Sequence, residues 1–107
     1  MSTTAELTEL ILLAASERGA LLVRNNSGVA RFKDRVVRYG VGTTQGGGGD
    51  LIGLTYDGIF LSIEIKVGND RVKKLQDTWR SWITMRNGRA GVARCVQDAI
   101  DIIEGKK

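Results

Sequence analysis

The sequence contains no histidine and no proline, a single cysteine, and only two each of Trp, Tyr and Phe. Without histidine, the Ser-His-Asp and Cys-His mechanisms are excluded, together with histidine general bases and most zinc sites. Whatever chemistry the chain performs must draw on carboxylates, lysine, amides or hydroxyls. Without proline, each sharp turn falls to the fourteen glycines and to Asn or Asp. The lone Cys95 cannot form an internal disulfide. It sits in an apolar stretch and is expected to be a small buried residue, not a reactive thiol. The longest apolar run, Leu10 to Ala15, falls far short of the roughly 20 residues of a membrane helix. Met1 to Glu6 lack the basic start and apolar centre of a secretory signal. A reducing compartment, most simply a cytoplasm, is therefore expected, with no membrane association.

What is present fits one domain spanning 1–107. The length of 107 residues suffices for one modest core, and 42% apolar with 26% charged residues is ordinary for a globular protein. The formal charge of +4 leans towards a polyanionic partner without requiring one. Its placement says more: Arg31, Lys33, Arg35 and Arg38 lie in one short segment, and the first three share a face if that segment is extended. They are candidate nucleic-acid contacts, although a solvated loop or hairpin face accounts for them equally well.

Along the chain, Thr3-x-x-Glu6 has capping-box spacing, and Leu7, Leu10, Ile11 and Ala14 follow at helical intervals. With Gly19 placed to terminate it, a helix is expected from about Thr4 to Arg18. Ala20 to Arg24 reads as a short strand ended by Asn25-Asn26-Ser27-Gly28, and residues 29–39 read as extended. A glycine-rich loop, Gly40 to Gly49, leads into a strand over Asp50 to Thr55. Tyr56-Asp57-Gly58 supplies a hairpin turn. The next strand, Ile59 to Val67, alternates: Ile59, Leu61, Ile63, Ile65 and Val67 on one face, Phe60, Ser62, Glu64 and Lys66 on the other. Gly68-Asn69-Asp70 breaks it and caps a helix over about Arg71 to Arg86, whose buried stripe is Val72, Leu75, Trp79, Trp82 and Ile83. Ala90 to Val96 reads as a strand, parallel to 59–67 because a helix connects them, and Asp98 to Glu104 as a last helix. The order α-β-β-β-α-β-α implies an α/β fold with one mixed sheet flanked by helices.

Glu64 and Lys66, two apart on a strand, project from one face about 7 Å apart. Pairing the flanking strands about Asp57 sets Asp50 opposite Glu64. Two carboxylates converging at a glycine-lined strand end make an oxygen-donor site for Mg²⁺ or Mn²⁺, which the backbone carbonyl of Ile65 could complete. Phosphodiester hydrolysis needs this set: carboxylates to hold a metal that activates water, and a lysine to position that water or stabilise growing charge. An acid-x-lysine triplet alone is commonplace, and a surface strand of alternating charges would explain it. The aliphatic opposite face argues against that, since it buries the strand within a sheet. The glycine run has no G-x-x-x-x-G-K-[ST], and Gly40-x-Gly42-x-x-Gln45 lacks a third glycine, so neither a P-loop nor a dinucleotide site is indicated.

Gly49-Asp50-Leu51-Ile52-Gly53, Phe60 to Lys66 and Gln76-Asp77-Thr78-Trp79 together resemble the VRR-NUC domain of the PD-(D/E)xK nuclease superfamily. Arg24 to Gly28 and the closing Gly88 to Val96 stretch fit it as well. The resemblance, to a stand-alone phage or bacterial type, implies a restriction-endonuclease-like fold and a Mg²⁺- or Mn²⁺-dependent DNA endonuclease. Asp50 and Glu64 would be metal ligands, Lys66 the catalytic lysine and Gln76 a supporting glutamine. Glu6 would match the first-helix glutamate, although its capping box explains it without function. Where the family usually has proline before the aspartate, this chain has Gly49. Stand-alone members are expected to act as homodimers on branched DNA such as Holliday junctions. The alternative is a non-catalytic nucleic-acid-binding module that keeps the fold. Trp79 and Trp82 suit a core or dimer contact better than base stacking, and Lys73, Lys74 and Arg80 suit a solvated helix face.

Overall fold

The computed structural model describes residues 3–43, 48–68 and 74–106. Its first helix, α1 (Thr4–Glu17), starts at the expected capping box, where the Thr3 hydroxyl accepts from the Glu6 N–H at 3.1 Å. It ends as the glycine implied. Gly19 takes φ +73°, its N–H donates to the Ser16 carbonyl and the Ala20 N–H to the Ala15 carbonyl, a Schellman ending. The stripe Leu7, Ile11, Ala14 and Ala15 is buried, but Leu10 is half exposed at 49%.

Four strands form the main sheet in the order β1 (Leu21–Arg24), β4 (Leu51–Leu54), β5 (Phe60–Ile65), β6 (Arg89–Ala93). The first two pairings are antiparallel and β5–β6 is parallel, as the intervening helix required. The register Leu51↔Ile63 and Ile52↔Ser62 is the one expected for a turn centred on Asp57. That turn is fixed by the Thr55 side chain, which donates to Asp57 at 2.6 Å and accepts from the Ile59 N–H at 2.9 Å.

Both faces of β5 are covered. Leu61, Ile63 and Ile65 join Leu7, Ile11, Leu51, Ala93, Ala99 and Ile102 in a core under α1 and α3 (Val96–Ile103). Ser62 and Glu64 lie under α2 (Lys74–Met85), whose Trp79 donates to the Ser62 hydroxyl at 2.7 Å and meets the Phe60 ring edge-on. α2 packs mainly on β5 and β6, and Leu21, Val23 and Leu54 stay exposed. Among the described residues no helix is long and apolar enough to cross a membrane.

Four sequence expectations change. Residues 29–39 are not one extended piece: β2 (Gly28–Phe32) and β3 (Arg35–Tyr39) form a separate two-stranded hairpin, turning at Lys33–Asp34 with Lys33 at φ +56°. The face shared by Arg31, Lys33 and Arg35 therefore does not exist. The last strand stops at Ala93 and α3 begins at Val96, because the Asp98 carboxylate accepts from the Arg94 N–H at 2.9 Å and turns the chain there. Cys95, at the helix cap between them, is exposed and not buried. On α2, Trp79 is buried whereas Leu75 and Trp82 are 38% and 44% exposed; Val72, Lys73 and the 69–70 cap lie outside the described residues.

Gly53 sits where β1 crosses closest: a Cβ there would lie 1.8 Å from the Leu21 carbonyl oxygen and 2.9 Å from the Leu22 Cα. Backbone cannot yield as a side chain can. Gly53→Ala is expected to loosen the β1–β4 pairing and cost about 1–3 kcal/mol. Urea denaturation and faster hydrogen exchange at Leu21 and Val23, whose amides face β4 in this register, measure this; an unchanged midpoint would show that the strands part freely.

Candidate active site

The site is assembled where β4 begins and β5 ends. Asp50 immediately precedes β4, and continuing the register sets it opposite Glu64. Its carboxylate accepts from the Ile65 N–H at 2.8 Å, which ties it to β5. Ile65 thus offers Asp50 its amide, while its side chain stays in the core. Glu64 is 5% exposed, under α2, and its Oε1 accepts a hydrogen bond from the Gln76 side-chain amide. The Lys66 ammonium lies 3.6 Å from the same oxygen, with its side chain 13% exposed.

A charged carboxylate is costly to bury unless its oxygens are satisfied. Here one is not: Glu64 Oε2 is buried with no hydrogen-bond partner among the described residues. Burial first, and then the neighbouring Asp50, push the Glu64 carboxyl up to about 7, with Lys66 pulling the other way. The Asp50 side chain beside it thus favours the protonated form of Glu64. A divalent cation would satisfy the same pair with more charge.

The donor chemistry fits such an ion. The converging atoms are carboxylate oxygens, with no sulfur or imidazole, which suits a hard cation such as Mg²⁺ or Mn²⁺. Among the described residues no cluster of three or more His, Cys, Asp or Glu exists, so protein carboxylates would fill only part of its coordination shell. Asp50 opens into a cleft of about 220 Å³ lined by Thr4, Thr8, Arg24, Asn25, Asn26, Leu51 and Ile65. Glu64, by contrast, faces a tight recess with Gly49, Ser62, Gln76, Trp79 and Arg80.

Of the sequence candidates, Asp50, Glu64, Lys66 and Gln76 come together. Glu6 does not join them: it is exposed, its carboxylate accepts from the Thr3 hydroxyl at 3.1 Å, and Thr4 and Thr8 of the same helix line the cleft instead. Arg31, Lys33, Arg35 and Arg38 lie on the separate hairpin. Arg80, expected to be solvated, is only 23% exposed in its side chain and pairs with Asp77, with its Nη1 buried and lacking a hydrogen-bond partner among the described residues.

Asn25 has a role that sequence reasoning missed. Its amide nitrogen donates to the Val41 carbonyl at 2.7 Å and the Gly49 carbonyl at 3.0 Å, and its oxygen accepts from the Val41 N–H at 3.0 Å. Its own N–H donates to the Asp50 carbonyl at 2.8 Å. One side chain therefore fixes the backbone leading into Asp50. An Asn ending a strand signals only a turn in sequence; partners 16 and 24 residues away are invisible there.

The chain is similar in structure to a VRR_NUC domain, with a TM-score of 0.65 at 15% identity over 99% of this chain and 100% of the other. No family model matches the sequence, and no curated protein matches it either. The likeness is one of fold: this chain has the VRR_NUC fold, a mixed sheet flanked by helices of the restriction-endonuclease-like kind.

The raised Glu64 pKa has a consequence for stability. The folded protein holds this proton more tightly than the unfolded chain, so the resulting stabilisation is complete below about pH 4.5 and is lost as pH rises through about 7. For a shift of this size the loss is about 3 kcal/mol. In EDTA, the metal-free protein is expected to weaken between pH 5 and pH 8 more than Glu64→Gln, which carries no charge to bury. Parallel urea-denaturation profiles for the two proteins would remove this account of the carboxyl.

Proposed function

We propose that the chain is a metal-dependent DNA endonuclease that hydrolyses phosphodiester bonds, with Asp50 and Glu64 as carboxylate ligands of Mg²⁺ or Mn²⁺. The observation that carries the reading is the buried, unpartnered Glu64 oxygen set against Asp50, with Lys66 at 3.6 Å. Two acids and a lysine in that arrangement are costly unless a cation and an anion complete them. The VRR_NUC fold supports the same reading.

When bound, the ion lowers the pKa of a coordinated water and neutralises charge on the phosphate. The chain's own groups do the rest. Asp50 and Glu64 bind from opposite strands, and Ile65 orients Asp50 through its amide while offering its carbonyl as a further donor. Lys66, beside Glu64 Oε1, can hold the attacking water or the phosphate oxygens as negative charge grows. Gln76 holds Glu64 by its Oε1, leaving Oε2 for the ion. A pure binding module would gain nothing from two carboxylates facing a phosphate. Arg31, Lys33, Arg35 and Arg38 supply phosphate contacts away from the cut.

Asp50→Ala or Lys66→Ala is expected to lower the cleavage rate at least about a thousandfold, as loss of charge stabilisation at a reacting centre does, with the fold kept by circular dichroism. A supercoiled-plasmid nicking assay with Mg²⁺, Mn²⁺ or EDTA checks it. Full activity in EDTA, or wild-type rates in these variants, would sink the assignment.

The finer part of the proposal is a homodimer acting on branched DNA such as Holliday junctions. A two-fold pair presents two equivalent sites to symmetry-related strands, and the exposed Leu21, Val23 and Leu54 give a second copy an apolar surface to cover. Light scattering is expected to give a dimer, and four-way junctions to be nicked in paired positions faster than linear duplex. A monomer that cuts both alike leaves the nuclease reading standing and removes this part.

A further inference from the structure

The hairpin β2–β3 is built unlike the rest of the molecule. Every residue from Val29 to Val41 is exposed, including Val29, Phe32, Val36, Val37 and Tyr39. Neither strand belongs to the main sheet. A two-stranded hairpin standing alone in water is marginally stable, so this one is suited to a partner that covers it.

Its charges say which partner. Arg31, Lys33, Arg35 and Arg38 are opposed by Asp34 alone within the hairpin. The register Arg31↔Val36 and Val29↔Arg38 puts Arg31 and Arg38 on one face; Phe32↔Arg35 and Ala30↔Val37 put Arg35 on the other. Lys33 is at the tip, its ammonium 5.7 Å from the Phe32 ring centre. A ribbon lying flat against a polyanion would need cations on one face only. Cations on both faces and at the tip suit a ribbon that stands between two phosphate backbones. The DNA major groove, about 12 Å wide, admits a two-stranded ribbon, and the minor groove, about 6 Å wide, does not.

The arm is also tied to the candidate active site. The chain returns from the hairpin through Val41, and Asn25 grips Val41 with the same side chain that holds the Gly49 carbonyl next to Asp50. The geometry points to a specific role: β2–β3 is a ribbon arm that enters the major groove of duplex DNA, and Asn25 is a positioning residue that fixes the arm's distance from Asp50. This rests on the nuclease reading and specifies how the substrate is gripped.

The test measures binding to a short duplex in EDTA, where cleavage plays no part, by fluorescence anisotropy over a range of KCl. The two hairpin faces are probed separately by Arg31→Ala with Arg38→Ala, and by Arg35→Ala with Lys33→Gly. The last change also suits the left-handed backbone at that position. Each pair is expected to weaken binding about tenfold and to reduce the slope of log K against log salt by about 1–2. Methyl green, which occupies the major groove, is expected to displace the protein, and netropsin, which occupies the minor groove, is not. Asn25→Ala is expected to keep KM within a few-fold, lower kcat, and scatter the cut positions. Wild-type affinity in either pair, displacement by netropsin alone, or an unchanged cut pattern and kcat in Asn25→Ala would overturn the inference. These outcomes are separable from failure of the nuclease reading. A protein that binds through the hairpin and never cleaves with metal fails only as a nuclease. One that cleaves through Asp50 while its hairpin variants bind normally fails only here.

Discussion

A carboxylate buried in the middle of a sheet is the constraint around which this molecule is arranged. β5 is covered on both faces, so each of its positions would favour an apolar side chain. Glu64 breaks that pattern, and its neighbours offset the cost. Gln76 reaches down from α2 to one oxygen, Lys66 brings a positive charge to the same oxygen, and the other oxygen is left with Asp50. Satisfying both oxygens with protein donors would have given a quieter core. Leaving one unsatisfied beside a second acid pushes the Glu64 carboxyl up to about 7.

The same constraint explains where α2 sits and what it leaves bare. To deliver Gln76 and Trp79 onto Glu64 and Ser62, the helix must lie over β5 and β6. In that position the described helix leaves Leu21, Val23 and Leu54 in water. The exposed apolar strip and the buried polar site are thus two results of one packing choice.

What could be read from sequence was what local periodicity and turn chemistry encode. The β5 alternation, the Schellman glycine and the Asp57-centred hairpin each involve neighbours within a few residues, and together they brought Asp50 opposite Glu64. Failures came where a side chain decides over the pattern. Asp98 ends the last strand early and leaves Cys95 outside, although the run from Ala90 to Val96 reads as continuous. Lys33 accepts a left-handed backbone that glycine would ordinarily supply, which hid the β2–β3 turn. Leu75 and Trp82 follow helical spacing, but α2 buries only a narrow stripe centred on Trp79. Asn25 was illegible for another reason: its partners are set by the fold, not by the chain around it.

Asn25 also gives physical sense to the one clear departure from the pattern of the family that the sequence resembles, glycine in place of proline before the aspartate. Proline would stiffen that position by its ring alone. Glycine has the opposite tendency and would leave Asp50 poorly held. Yet Gly49 is buried, and a Cβ there would lie 2.3 Å from the Ser62 hydroxyl, which Trp79 keeps in place. Any side chain at 49, proline included, competes with the Ser62–Trp79 pair. The stiffness has to come from elsewhere, and Asn25 provides it on both sides, through its side chain to the Gly49 carbonyl and its N–H to the Asp50 carbonyl. Gly49, Ser62, Trp79 and Asn25 therefore form one solution to holding an aspartate still without proline. The solution is coupled, so replacing any one member alone should disturb Asp50 more than replacing compatible members together.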